Sequence, residues 1–187
     1  MNSPSRSILA AGFETCVGIV RFRKGPEDLP ASTSLLAAAL AGAVLLRIAL
    51  LSIPTAETRI NPVVVMLLDF GITLLCVFVA LRAAGHSARF LQTITAIFGA
   101  QVVLAPALFA SRWMLLTYYE QPGIGGMARL FYVVVSVWML AVLVRILRSA
   151  TGWPLFACVL LALTIEVLVL VAALTLFPLE QDLTTPA

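Results

Sequence analysis

The chain has 187 residues, of which 61% are hydrophobic and only 11% charged, and its net charge is +3. Soluble domains carry about 25% charged residues, and a water-soluble fold of this size could not hide so much apolar surface. That composition excludes an ordinary globular enzyme or a chain with a second globular domain, and it points to an all-α, polytopic membrane protein.

Residues 1–30 form a cytoplasmic N-terminal segment in this reading. Leu9, Phe13, Cys16, Val17 and Val20 share one helical face, and Arg21, Arg23 and Lys24 close it with positive charge. Such an amphipathic helix can lie in the membrane interface or pack against the membrane domain, and the spacing fits both. The apolar piece Ile8–Phe13 is short, Glu14 ends it, and no small-x-small site follows, so a cleaved signal peptide is not expected.

Gly25, Pro26 and Pro30 break that helix, and the membrane domain occupies 31–178. The organising stretch is Leu35 to Ile53, LLAAALAGAVLLRIALLSI, inside a first span at 33–53. About 20 apolar residues rising 1.5 Å each cross the hydrocarbon core. Ala37, Ala38 and Ala39 are each followed four residues later by a small residue, which allows another helix to approach closely. Pro54 and the polar turn to Asn61 lead to a second span at 63–81, and the basic loop 82–89 leads to a third at 90–110. That third span is the most polar, with Gln92, Thr93, Thr95 and Gln101, and Pro106 should kink it. Residues 111–128 read as the longest loop, with Trp113, Tyr118 and Tyr119 as headgroup-level rings. The fourth and fifth spans fall at 130–147 and 155–177, and an acidic tail follows at 179–187.

Five spans place the termini on opposite sides. Arg6, Arg21, Arg23, Lys24, Arg82, Arg89, Arg145 and Arg148 then fall on one side, and only Arg59, Arg112 and Arg129 on the other. The positive-inside rule predicts the N-terminus in the cytoplasm and the C-terminus outside. Arg145 should snorkel to the inner interface.

Three ionisable groups fall within spans: Arg47, Asp69 and Glu166. Spans one and two are joined by a short turn, so Arg47 and Asp69 lie at similar depth, roughly 10 Å below the surface. An intramembrane ion pair between them is expected, since a lone Arg or Asp at a helix centre costs about 2.5–3.5 kcal/mol on insertion scales. Glu166 has no basic partner at its depth, and Gln101 and Thr95 are its candidate companions. It is either a protonatable relay group or a carboxyl hydrogen-bonded across helices as packing.

No catalytic constellation is visible. His86 is the single histidine and sits in a predicted loop, and no HExxH or GxSxG is present. Cys16, Cys76 and Cys158 are isolated, so neither a disulfide framework nor a metal site is expected. No cofactor and no nucleic-acid partner are indicated; membrane lipids are the partner the composition demands.

The layout resembles the Yip1-type membrane domain over residues 10–178: a cytoplasmic N-terminal segment, five closely spaced spans and an N-in/C-out sense. The local likeness is carried by His86-Ser87-Ala88-Arg89-Phe90-Leu91-Gln92-Thr93, leading into Ala96-Ile97-Phe98-Gly99-Ala100 and on to Pro106. The acidic–aromatic–Gly-Pro signature of the eukaryotic relatives is absent. The resemblance implies a non-enzymatic integral scaffold or accessory subunit of a bacterial inner (plasma) membrane, acting through protein partners or self-association. The rival expectation is a transporter or proton-conducting subunit using Glu166 and the polar residues of the third span.

Overall fold

The computed structural model describes residues 4–51 and 62–176; the turn at 52–61 and the tail from 177 onward, both named above, lie outside them. The described residues are all-α, without strands. A short helix α1 (Pro4–Val20) precedes α2 (Thr33–Leu51), α3 (Pro62–Ala83), α4 (Phe90–Tyr118), α5 (Ile124–Thr151) and α6 (Leu155–Leu176). Helices α2 to α6 are each long and apolar enough to cross a membrane, making this a polytopic membrane protein. Large apolar side chains such as Leu45, Leu67, Leu75, Val133, Val137, Phe156 and Leu170 point outward. In water such a surface would aggregate; against lipid tails it is the normal outer face of a spanning bundle.

Helix α4 is the centre. It packs on α2 and α5, and α1 and α3 also lie against it, while α6 is held by α3 and α5. Thr93 to Ala100 is buried without interruption, so this part of α4 is enclosed on every side. Its polar side chains are satisfied locally: Thr93 Oγ1 donates to Arg89 O at 2.8 Å and Thr95 Oγ1 to Leu91 O at 2.7 Å. The small-residue stripe of α2 is used on one side only. Ala39 and Ala43 are buried while Ala37, Ala38 and Ala41 are exposed. A Cβ at Gly42 would sit 2.7 Å from Val102 Cγ2 of α4, so the two helices meet closely there.

The expected loop at 111–128 is overturned. Helix α4 continues through Pro106 to Tyr118, and α5 begins at Ile124, leaving only 119–123 between them. Ser111 to Tyr118 looks loop-like because it is polar and aromatic, but it contains no residue that breaks a helix. Ser111 Oγ donates back to Leu108 O at 3.0 Å, which absorbs its polarity within the helix. The real break is Pro122-Gly123, where Gly123 takes φ +81°, a region that glycine enters without a Cβ penalty.

Helix α1 is docked on the bundle, with Gly12, Thr15, Cys16, Ile19 and Val20 buried and Ile8, Leu9 and Phe13 exposed. The buried stripe is thus rotated from the face expected at Leu9 and Phe13, because Gly12 and Gly99 allow close approach there. A Cβ at Gly99 would overlap Cys16 Sγ. The segment after α1 is pinned at three points: Trp138 Nε1 donates to Val20 O (3.2 Å), Gln92 Nε2 to Leu29 O (2.7 Å) and Ser149 Oγ to Glu27 Oε2 (2.6 Å). Burial pushes the Cys16 thiol up to about 11, from an ordinary 9.0. At pH 8 that leaves about 100-fold less thiolate than an unfolded cysteine offers. Iodoacetamide labelling followed by peptide mass analysis should therefore find Cys16 at least that much slower in the native protein than in the denatured chain. Equal rates would mean that α1 leaves the bundle readily.

Candidate functional site: a charged cavity among five helices

The side chains of α2 to α6 enclose a cavity of about 200 Å³. Each helix contributes residues at helical spacing. Ile97, Gln101, Leu108 and Arg112 form one stripe of α4, and Tyr132, Ser136, Met139 and Leu143 form the facing stripe of α5. Leu46, Arg47 and Leu50 come from α2, Asp69 and Thr73 from α3, and Ile165 and Glu166 from α6. Gln101 and Arg112 are eleven positions apart, about 16 Å along the axis. The space is therefore long, running from the enclosed middle of α4 toward the α4–α5 turn.

Its electrostatics follow from what is paired. Arg47 donates from Nη2 to Asp69 Oδ2 and forms an ion pair between α2 and α3. Both side chains line the cavity, and pairing beside a cavity makes charge tolerable at this depth. Glu166 lines the same cavity as Arg47 and Asp69. Among the described residues Glu166 makes no ion pair, and Arg47 is matched by Asp69. Arg112 differs from both. Its Nε is buried and finds no hydrogen-bond partner among the described residues. A buried guanidinium nitrogen without an acceptor is costly, and the side chain that carries it lines the cavity.

Of the sequence-derived candidates, Arg47, Asp69, Glu166 and Gln101 share this cavity. Thr95 does not join them; it is buried, and its hydroxyl is taken by Leu91 O of its own helix. Arg112, Tyr132, Thr73 and Ser136 were missed as a group. Arg112 had been placed in a loop, and the signal that finds it is the stripe at 97, 101, 108 and 112 once α4 is extended.

The interfacial candidates sit at the two ends of the bundle. At the α4–α5 turn, the rings of Trp113 and Tyr118 meet edge-on with centroids 5.9 Å apart. Arg129 lies over the Tyr119 ring, 4.5 Å from its centroid, and donates to Tyr119 O at 3.0 Å. At the opposite end Arg21 and Arg23 are exposed, and half-buried Lys24 reaches Thr15 Oγ1 at 3.5 Å. His86 is half-buried in the α3–α4 turn, with an Nδ1 that has no partner among the described residues. The described residues hold no group of three or more His, Cys, Asp or Glu side chains placed to bind a metal ion.

Comparison with protein-family models, with curated proteins and with solved structures finds no match.

Proposed function

We propose that this protein is a membrane solute-binding or transport subunit whose cavity takes a small solute bearing an acidic group, with Arg112 as its anchor. The observation that carries the reading is that Arg112 lines the cavity with no ion pair or side-chain hydrogen bond among the described residues, its buried Nε included. The other cavity arginine is already matched by Asp69, so Arg112 is the cation left to receive an anion. A guanidinium recognises a carboxylate or phosphate through two parallel hydrogen bonds. Gln101, Ser136 and Tyr132 border the same space and can hydrogen-bond the rest of the molecule. Since a water's share of liquid volume is about 30 Å³, the cavity suits a molecule of amino-acid size rather than a long chain. The bias of basic residues places its Arg112 end toward the outside of an inner membrane. A pure scaffold acting through partners, as the Yip1-type layout suggests, would leave these charges unused. Exposed apolar faces do not favour it, because any spanning bundle presents them.

The test is thermal unfolding of the detergent-purified protein with acetate, glutamate or inorganic phosphate added singly. A solute at 100 times its Kd stabilises by about 2.7 kcal/mol, a shift of several degrees. Arg112→Gln should abolish that shift, while Arg145→Gln, outside the cavity, should leave it intact. If no probe moves the transition, or if Arg112→Gln responds as the parent does, the reading is wrong.

A further inference from the structure

A second concavity lies on the outer surface of the bundle, at the end where the basic residues gather. Val137, Leu140, Ala141 and Val144 make one wall from α5, and Leu155 and Val159 of α6 make the other. The space is about 370 Å³ and has no polar lining except at one end, where Arg145 and Arg148 stand. From Val137 to Arg148 the stripe is about 16 Å long, about half the ~30 Å hydrocarbon thickness, or one leaflet. We propose that this groove seats one anionic phospholipid, its acyl chain along the α5–α6 wall and its phosphate on Arg145 and Arg148.

Three observations support that occupant over an apolar protein segment. Both arginines are exposed, and neither guanidinium makes a hydrogen bond or ion pair among the described residues. Snorkelling explains one such side chain at a membrane interface. Two, spaced i and i+3 at the end of an apolar groove, make a phosphate-binding fork with a lipophilic channel attached. The third observation is Phe22, which lines the groove although its backbone takes φ 60°, an unusual value for a bulky residue. The conformation is held by Phe22 N donating to Ile19 O at 2.9 Å and by the Trp138 bond to Val20 O. Arg21 and Arg23, on either side of Phe22, are also exposed and unpaired, and add positive charge near the mouth. A cytoplasmic leaflet rich in anionic lipid attracts such a cluster by about 1 kcal/mol per basic residue near the surface.

The experiment is native mass spectrometry of the intact protein after exchange into equal amounts of phosphatidylglycerol and phosphatidylcholine with identical chains. The parent should retain phosphatidylglycerol several-fold more, in a one-to-one adduct. Arg145→Gln with Arg148→Gln should erase the preference. Ala141→Trp, at an exposed position of the wall, should remove the adduct while leaving every charge in place. Equal retention of both lipids by the parent overturns the proposal. So does a phosphatidylglycerol preference that survives either variant, the mark of general charge attraction or of a site elsewhere.

Discussion

Asp69→Ala should lower the stability of the protein by about 2 kcal/mol in an unfolding titration in mixed micelles. The change strands Arg47 about one turn from the end of α2 (Thr33–Leu51). Insertion scales put a lone arginine at a helix centre at about 2.5–3.5 kcal/mol. The expected cost sits at or below the low end because Arg47 lies near a helix end rather than at its centre, and its side chain is 38% exposed. Asp69 is more enclosed, at 18%. Arg47→Leu combined with Asp69→Leu should return to within about 1 kcal/mol of the parent, since an apolar pair replaces an ion pair without a stranded charge. The swapped pair, Arg47→Asp with Asp69→Arg, should recover about half of the single-variant loss. A single variant as stable as the parent would show that cavity water satisfies each charge alone.

Gly99→Val should cost about 2 kcal/mol and detach α1 from the bundle. Overpacking a filled site typically costs about 1–3 kcal/mol, and here even a Cβ overlaps Cys16 Sγ. Valine adds a branched side chain against the same neighbour, within a stretch of α4 that is buried throughout. The readouts are faster proteolysis in the 21–32 segment and a changed Trp138 emission as its bond to Val20 O is lost. Gly99→Ala with Cys16→Ala provides the control. Removing Sγ leaves Cys16 Cβ 3.5 Å from the new methyl group, an ordinary contact, and alanine favours the helix over glycine by about 1 kcal/mol. That double variant should keep α1 docked; if it does not, the close fit at Gly99 is not what holds the helix.

The spans were legible in the sequence because bilayer thickness imposes a minimum length of apolar helix, and α2, α3 and α6 stand within a few residues of their expected bounds. The Arg47–Asp69 contact was accessible for the same reason, as a short turn fixes the register of neighbouring antiparallel helices. What escaped was lateral packing. Hydropathy gives depth but not azimuth, so nothing in the pattern put Glu166 in one cavity with Arg47 and Asp69 and left Thr95 out of it. The end of α4 escaped for a different reason. Ser111, Arg112 and Trp113 are polar or amphipathic, and hydropathy treats such residues as leaving the membrane even when they continue a helix that lines a cavity. The rotated face of α1 was hidden because glycines at positions 12 and 99, in different helices, decide it jointly.

The three hydrogen bonds that pin the segment after α1 also impose an order on biogenesis. They link Leu29 to Gln92, Val20 to Trp138 and Glu27 to Ser149, across 63, 118 and 122 positions of chain. The ribosome delivers the N-terminus first, so α1 exists long before the surfaces that receive it. While α2 to α5 are being inserted, its apolar side chains have no protein to cover them, and the bilayer surface is the available shelter. Helix α1 is therefore made before α2 to α5 and set in place after them, and a nascent chain stalled before Trp138 should expose to protease a segment that the finished protein protects.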